Sequence, residues 1–152
     1  MRRTTLIITF TAILLTGCAT PDSVTTQEGI NNRIKVLDTR FNEKNALLFV
    51  VPSADNAISN TLMLATIKTG QQTNAVKELT AFLKKDGERS IAVTGDHDGI
   101  AAATLDAAMD NLQEKSSAKV FFIGDSSYGP DLKKKADTLG IQFGLVPYPS
   151  VP

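Results

Sequence analysis

Ile91-Ala92-Val93-Thr94-Gly95-Asp96-His97-Asp98-Gly99 passes within nine residues from a nearly unbroken apolar run into a polar turn. A short apolar run bounded by turn residues suits a strand buried on both faces. Residues 46–51 (ALLFVV) and 120–123 (VFFI) repeat the pattern, each followed by its own polar segment. Those segments are Pro52-Ser53-Ala54-Asp55 and Gly124-Asp125-Ser126-Ser127-Tyr128-Gly129.

Helical patterns separate the runs. In residues 73–85, Val76, Leu79 and Leu83 share one helix face, and Gly87 is a C-terminal stop. In residues 99–113, Leu105, Ala108, Met109 and Leu112 share another. Pro130 opens a further helix at its first turn, with Leu132, Ala136 and Leu139 following and Gly140 ending it. Residues 55–68 read as a helix, although 61–67 (TLMLATI) also suits a strand. Ile141, Phe143 and Leu145 alternate, which predicts a half-exposed edge strand, and Pro147, Pro149 and Pro152 then extend the chain. Strand–helix alternation with short loops predicts an α/β fold, a mainly parallel sheet of about four strands with flanking helices. The domain is assigned to residues 45–152.

Residues 30–44 precede it as an amphipathic helix. Ile30, Ile34, Leu37 and Phe41 are spaced 4, 3 and 4 apart, along one helix face. Two readings are open: a stalk that pairs with a partner, or a helix packed on its own domain. Residues 19–29 (ATPDSVTTQEG) are polar and read as a flexible tether, up to roughly 35 Å long when extended.

The N-terminus is the most specific feature. Arg2-Arg3 precedes an apolar segment of ten residues, 6–15 (LIITFTAILL), too short to span a bilayer. Then comes Leu15-Thr16-Gly17-Cys18, which resembles the lipobox of bacterial lipoproteins at all four positions. The resemblance implies a signal peptide over residues 1–17, cleavage before Cys18, and a diacylglycerol-bearing, acylated Cys18. Two or three acyl chains anchor firmly, at about 0.8 kcal/mol per buried CH₂. Cys18 is the single cysteine, so no disulfide forms within the chain. Ala19, rather than Asp, follows it, which by the same resemblance implies sorting to the periplasmic face of the outer membrane.

Charge excludes some partners. Of 152 residues 16 are basic and 16 acidic; losing Arg2 and Arg3 leaves 14 against 16, a net of −2. That argues against nucleic acid or another polyanion. Lys133-Lys134-Lys135 reads as a solvated helix face. No dinucleotide fingerprint, phosphate-cradling loop, zinc-ligand spacing or aromatic stacking platform is present, so no cofactor and no metal is assigned.

The candidate chemistry lies beyond the carboxyl ends of the strands, where such sheets bind ligands. Asp96, His97, Asp98, Asp125 and Ser126 are the candidate ligand-binding residues; no catalytic residue is assigned. Asp96, His97 and Asp98 suit a hard cation, or a histidine base oriented by a carboxylate. The plainer reading makes Asp98 the cap of the next helix, Asp96 a turn residue and His97 exposed. Likewise Asp125 and Ser126 are ordinary turn residues.

Residues 83–99 (LKKDGERSIAVTGDHDG) also resemble the OmpA-like peptidoglycan-binding family, in which a helix and strand lead into a Gly-His-Thr-Asp turn. Gly95 and Asp98 match that turn; Asp96 stands at the family's His, and residues 99–113 hold no Arg. The resemblance implies an α/β sandwich as the alternative fold and Asp98 as the carboxylate that holds peptidoglycan.

Three functions therefore stand as expectations. The first is a lipid-anchored, non-catalytic accessory or scaffold component of an envelope, secretion, conjugation or pilus assembly, with protein partners. The second is peptidoglycan binding through Asp98. The third is a small-ligand or metal-binding domain, or a hydrolase, using the Asp96-His97-Asp98 loop.

Overall fold

Each apolar run forms a strand and each helical pattern a helix. The computed structural model describes residues 23–148. The expected signal peptide and Cys18 lie outside the described residues. In chain order the elements are α1 (Gln27–Phe41), β1 (Leu47–Val51), α2 (Ala57–Lys68), α3 (Asn74–Lys84), β2 (Ser90–Gly95), α4 (Asp98–Asp110), β3 (Lys119–Gly124), a 3₁₀ turn (Ser126–Tyr128), α5 (Gly129–Thr138) and β4 (Gln142–Pro147). The region that suited either helix or strand is helical. Asn56 starts it by accepting the Ser59 N–H at 2.9 Å, an ordinary cap.

All four strands are parallel, in the order β1-β2-β3-β4. This is the parallel sheet expected, and not the sandwich. Crossovers between neighbouring parallel strands are right-handed, so sequential order sends every connecting helix to the same face. Packing agrees. Phe49, Val51, Ile91, Val93, Val120, Phe122, Phe143 and Leu145 meet α2 to α5 on one face. Leu48, Ala92, Phe121, Ile123 and Val146 look the other way, toward Leu37 of α1. The lysine trio is more than a solvated face. Lys135 ties α5 to α4 through Asp106 at 2.5 Å and Asp110 at 2.8 Å.

This lopsided layering corrects three expectations. The first strand is not buried on both faces as β2 and β3 are. It is an edge strand, with Leu47 on the helical face 52% exposed and Val50 on the opposite face 38% exposed. The half-exposed edge expected at β4 is more covered than its alternation suggested. Gly144 and Val146 are buried beside α1, while Phe143 and Leu145 pack on the helical layer.

The third concerns α1. It packs on its own domain, but its docked stripe is Gly29, Arg33 and Leu37. Ile34 and Phe41, from the expected face, remain 46% and 40% exposed. One residue of offset turns a helix by about 100°, and the reason is Arg33. Its guanidinium is buried between α1 and the sheet, donating to Thr94 Oγ1 at 3.0 Å and the Gly29 carbonyl at 3.2 Å. Phe41 still meets the sheet, its ring 4.8 Å from that of Phe121 and close to Gly144.

The tether is corrected as well. Its described part is held from Ser23 onward: Val24 is buried, and Thr26 caps α1 by accepting the Gly29 N–H at 3.0 Å.

Candidate functional site

At the carboxyl edge of the sheet the polar residues divide their work. Asp96, just past β2, receives the Val24 N–H on Oδ1 at 2.7 Å and the Ser23 hydroxyl on Oδ2 at 2.8 Å. Its carboxylate thereby fastens the segment entering α1. A charged acceptor makes bonds roughly twice as strong as a neutral one.

His97, not Asp98, caps α4. Its backbone is extended, and its Nδ1 accepts the Ile100 N–H at 3.3 Å. A cap must sit just outside the helix and turn its side chain back onto the first-turn amides; Asp98 is already inside. This corrects the expectation of a capping Asp98 and an exposed His97, which is half-buried.

Asp98 reaches instead across to the next loop, where Oδ2 accepts the Asp125 N–H at 2.9 Å. Gly124 makes this approach possible, since a Cβ there would stand 2.8 Å from Asp98 Oδ1. Burial pushes the Asp98 carboxyl pKa up. The Asp125 backbone bond opposes that shift, as do the charges of Arg33 and His97, while the Asp125 carboxylate adds to it. Asp125 is fully exposed and its pKa is held low by hydrogen bonds from Ser127, whose N–H lies 2.8 Å from Oδ1. Ser126 is exposed at the start of the 3₁₀ turn.

The loops after β2 and β3 are thus joined by the Asp98–Asp125 bond. The loop after β1 is tied to its own helix, with the Ala54 N–H donating to Asn60 Oδ1 at 2.7 Å. The hard-cation reading is not what the geometry builds. The carboxylates of Asp96, Asp98 and Asp125 turn toward three different backbone amides, and among the described residues no group of three or more His, Cys, Asp or Glu could hold a metal.

The residue that sequence reasoning missed is Arg33. It is 3% exposed, lies 4.5 Å from the centre of the Tyr148 ring, and is close enough to Asp98 to draw its pKa down. Arg is almost never fully buried without partners. The signal available in the sequence is the i, i+4, i+8 series Gly29, Arg33, Leu37, with a small residue where the helix comes close and an apolar one deeper in.

A groove of about 450 Å³ runs along α4 between α2 and α5, lined by Leu64, Ile67, Ala103, Asp106 and Asp131. Gly99 and Tyr128 also line it, so it reaches the first turn of α4. Two of its acidic walls, Asp106 and Asp110, are taken by Lys135.

Comparison of the chain with protein-family models, with curated proteins and with solved structures finds no match.

Proposed function

We propose that this chain is a lipid-anchored, non-catalytic protein of the bacterial envelope, held by an acylated Cys18 at the periplasmic face of the outer membrane. It serves there as an accessory or scaffold part of a larger envelope assembly. The anchor rests on the lipobox and its preceding apolar segment. The observation that carries the non-catalytic reading is the use made of the carboxyl-edge residues. Asp96, His97, Asp98 and Asp125 each hold a backbone amide of their own chain. Side chains committed in this way serve the fold.

What speaks for a protein partner is α2. Ile58 and Leu62, one turn apart on it, are 84% and 68% exposed. Large apolar side chains presented side by side mark interaction surfaces more often than isolated ones do.

Crosslinking in native membranes followed by purification tests this reading. The wild-type chain is expected to bring down a defined envelope complex, and the double variant Ile58→Lys, Leu62→Lys to lose it while melting as a folded protein. Unchanged crosslinks in the double variant would contradict the surface. Retention on isolated peptidoglycan sacculi, lost on Asp98→Ala, would replace the scaffold reading with peptidoglycan binding.

A further inference from the structure

We infer that the carboxyl edge of the sheet faces the membrane at close range, with Asp96 as the clamp that fixes this orientation. The inference rests on the lipid anchor proposed above.

Chain length decides the geometry. Only residues 19–22 separate Cys18 from Ser23, so five Cα steps link the anchor to the first clamped residue. Five steps span at most about 18 Å, even fully extended. A domain of this size has a radius of gyration of about 14 Å and a diameter of about 35 Å. A leash half the domain's width cannot let the domain turn its far end to the bilayer. Without the clamp the leash would run to the start of α1 and lengthen by four residues.

The clamp fixes which end is near. Ser23 and Val24 are held by Asp96, the first residue after β2. From there α1 runs back along the sheet, antiparallel to the strands, and Glu43 beyond its far end pairs with Lys119 at the start of β3. The entry point is therefore at the carboxyl edge, beside Asp98, Asp125 and the 3₁₀ turn. The amino ends of the strands lie a strand length further away, about 20 Å.

Charge does not set this orientation. The exposed residues of the near edge include Asp55, Asp125, Ser126 and Ser127, and among the described residues the loops that form it (52–56, 96–97 and 125–128) hold no Lys or Arg to adhere to anionic headgroups. Tether length and the Asp96 bonds carry the orientation without attraction between opposite charges, so it is insensitive to salt.

The test uses the full lipidated chain in phosphatidylethanolamine–phosphatidylglycerol vesicles. Cys18 is consumed by lipid, so a cysteine introduced by Ser126→Cys or by Glu88→Cys takes a donor fluorophore uniquely. Energy transfer to a headgroup acceptor then reports distance. Both positions are exposed, one at each end of the sheet. The label at 126 is expected nearer the bilayer than that at 88 by about a strand length, roughly 20 Å, in low and high salt alike. Ten Gly/Ser residues inserted between 20 and 21 should erase most of the difference. Asp96→Ala should reduce it and Asp96→Asn, which keeps an acceptor, should preserve it. Equal transfer from both positions with acyl mass present on Cys18 would overturn the orientation alone. Absence of acyl mass would overturn the anchor, and the orientation with it.

Discussion

Asp98 is the one carboxylate of the carboxyl edge whose environment works against its charge. Burial raises its pKa, so the native state holds that proton more tightly than the unfolded chain. Its contribution to stability is therefore fully present below the unfolded value, near 3.9, and falls as pH rises through the folded value. Asp125 has the opposite sign, because its carboxyl is held low. Its contribution is present above the unfolded value and lost as pH falls through the folded one. The two windows lie on opposite sides of the ordinary carboxylate pKa, so they separate experimentally. Asp98→Asn keeps an oxygen to accept the Asp125 N–H but cannot ionise. As pH rises from the unfolded value, near 3.9, through the folded one, the wild type should lose melting temperature relative to this variant. Parallel curves would contradict the desolvation of Asp98 at its half-buried position. The sequence placed Asp98 and Asp125 in loops after two strands; that those strands are neighbours, so that the loops meet, comes from the sheet order. Which amide each carboxylate takes was not legible, since adjacent residues in a turn compete for the same donors and local geometry chooses among them.

Secondary structure was the most legible level. The runs at 46–51, 91–94 and 120–123 all became strands, and Gly87 and Gly140 follow α3 and α5 with φ of +94° and +74°. Periodicity says less about which side of an element is covered. Ile34 and Phe41 carried the apolar pattern of α1, yet the helix docks one residue away, because Arg33 finds partners in Thr94 and Gly29 that no hydrophobicity pattern records. The docked face predicts the energetics. Leu37 is 3% exposed against Ala92, Phe121, Ile123 and Val146, whereas Phe41 is 40% exposed. Leu37→Ala should therefore cost about 2–5 kcal/mol by urea unfolding, the range for emptying a buried leucine site. Phe41→Ala should cost clearly less despite its larger side chain. The reverse order would mean that α1 docks by its Ile34–Phe41 side rather than by Arg33 and Leu37. Likewise, β1 read as a strand buried on both faces from its composition, and only the sequential strand order places it at an edge.

At the scale of the molecule, one topological fact organises the rest. Sequential parallel strands put four helices on one face of the sheet and leave the other to a single helix supplied from the N-terminal side. The covering helix and the anchoring segment are therefore continuous, and the domain completes its core with the same stretch of chain that would lead to the membrane. The sequence pointed to the α/β class and, through the lipobox resemblance, to the proposed anchor separately. Their mechanical connection, through Ser23, Val24 and Asp96, appears only in three dimensions. The claim on which the function depends is the lipid on Cys18. Intact-mass measurement of the protein extracted by detergent from native membranes tests it most directly. The account predicts a chain that begins at Cys18, carries the mass of two or three acyl chains, and stays with the membrane in high salt. A chain that begins at Met1, or that lacks acyl mass and washes free in salt, would contradict it.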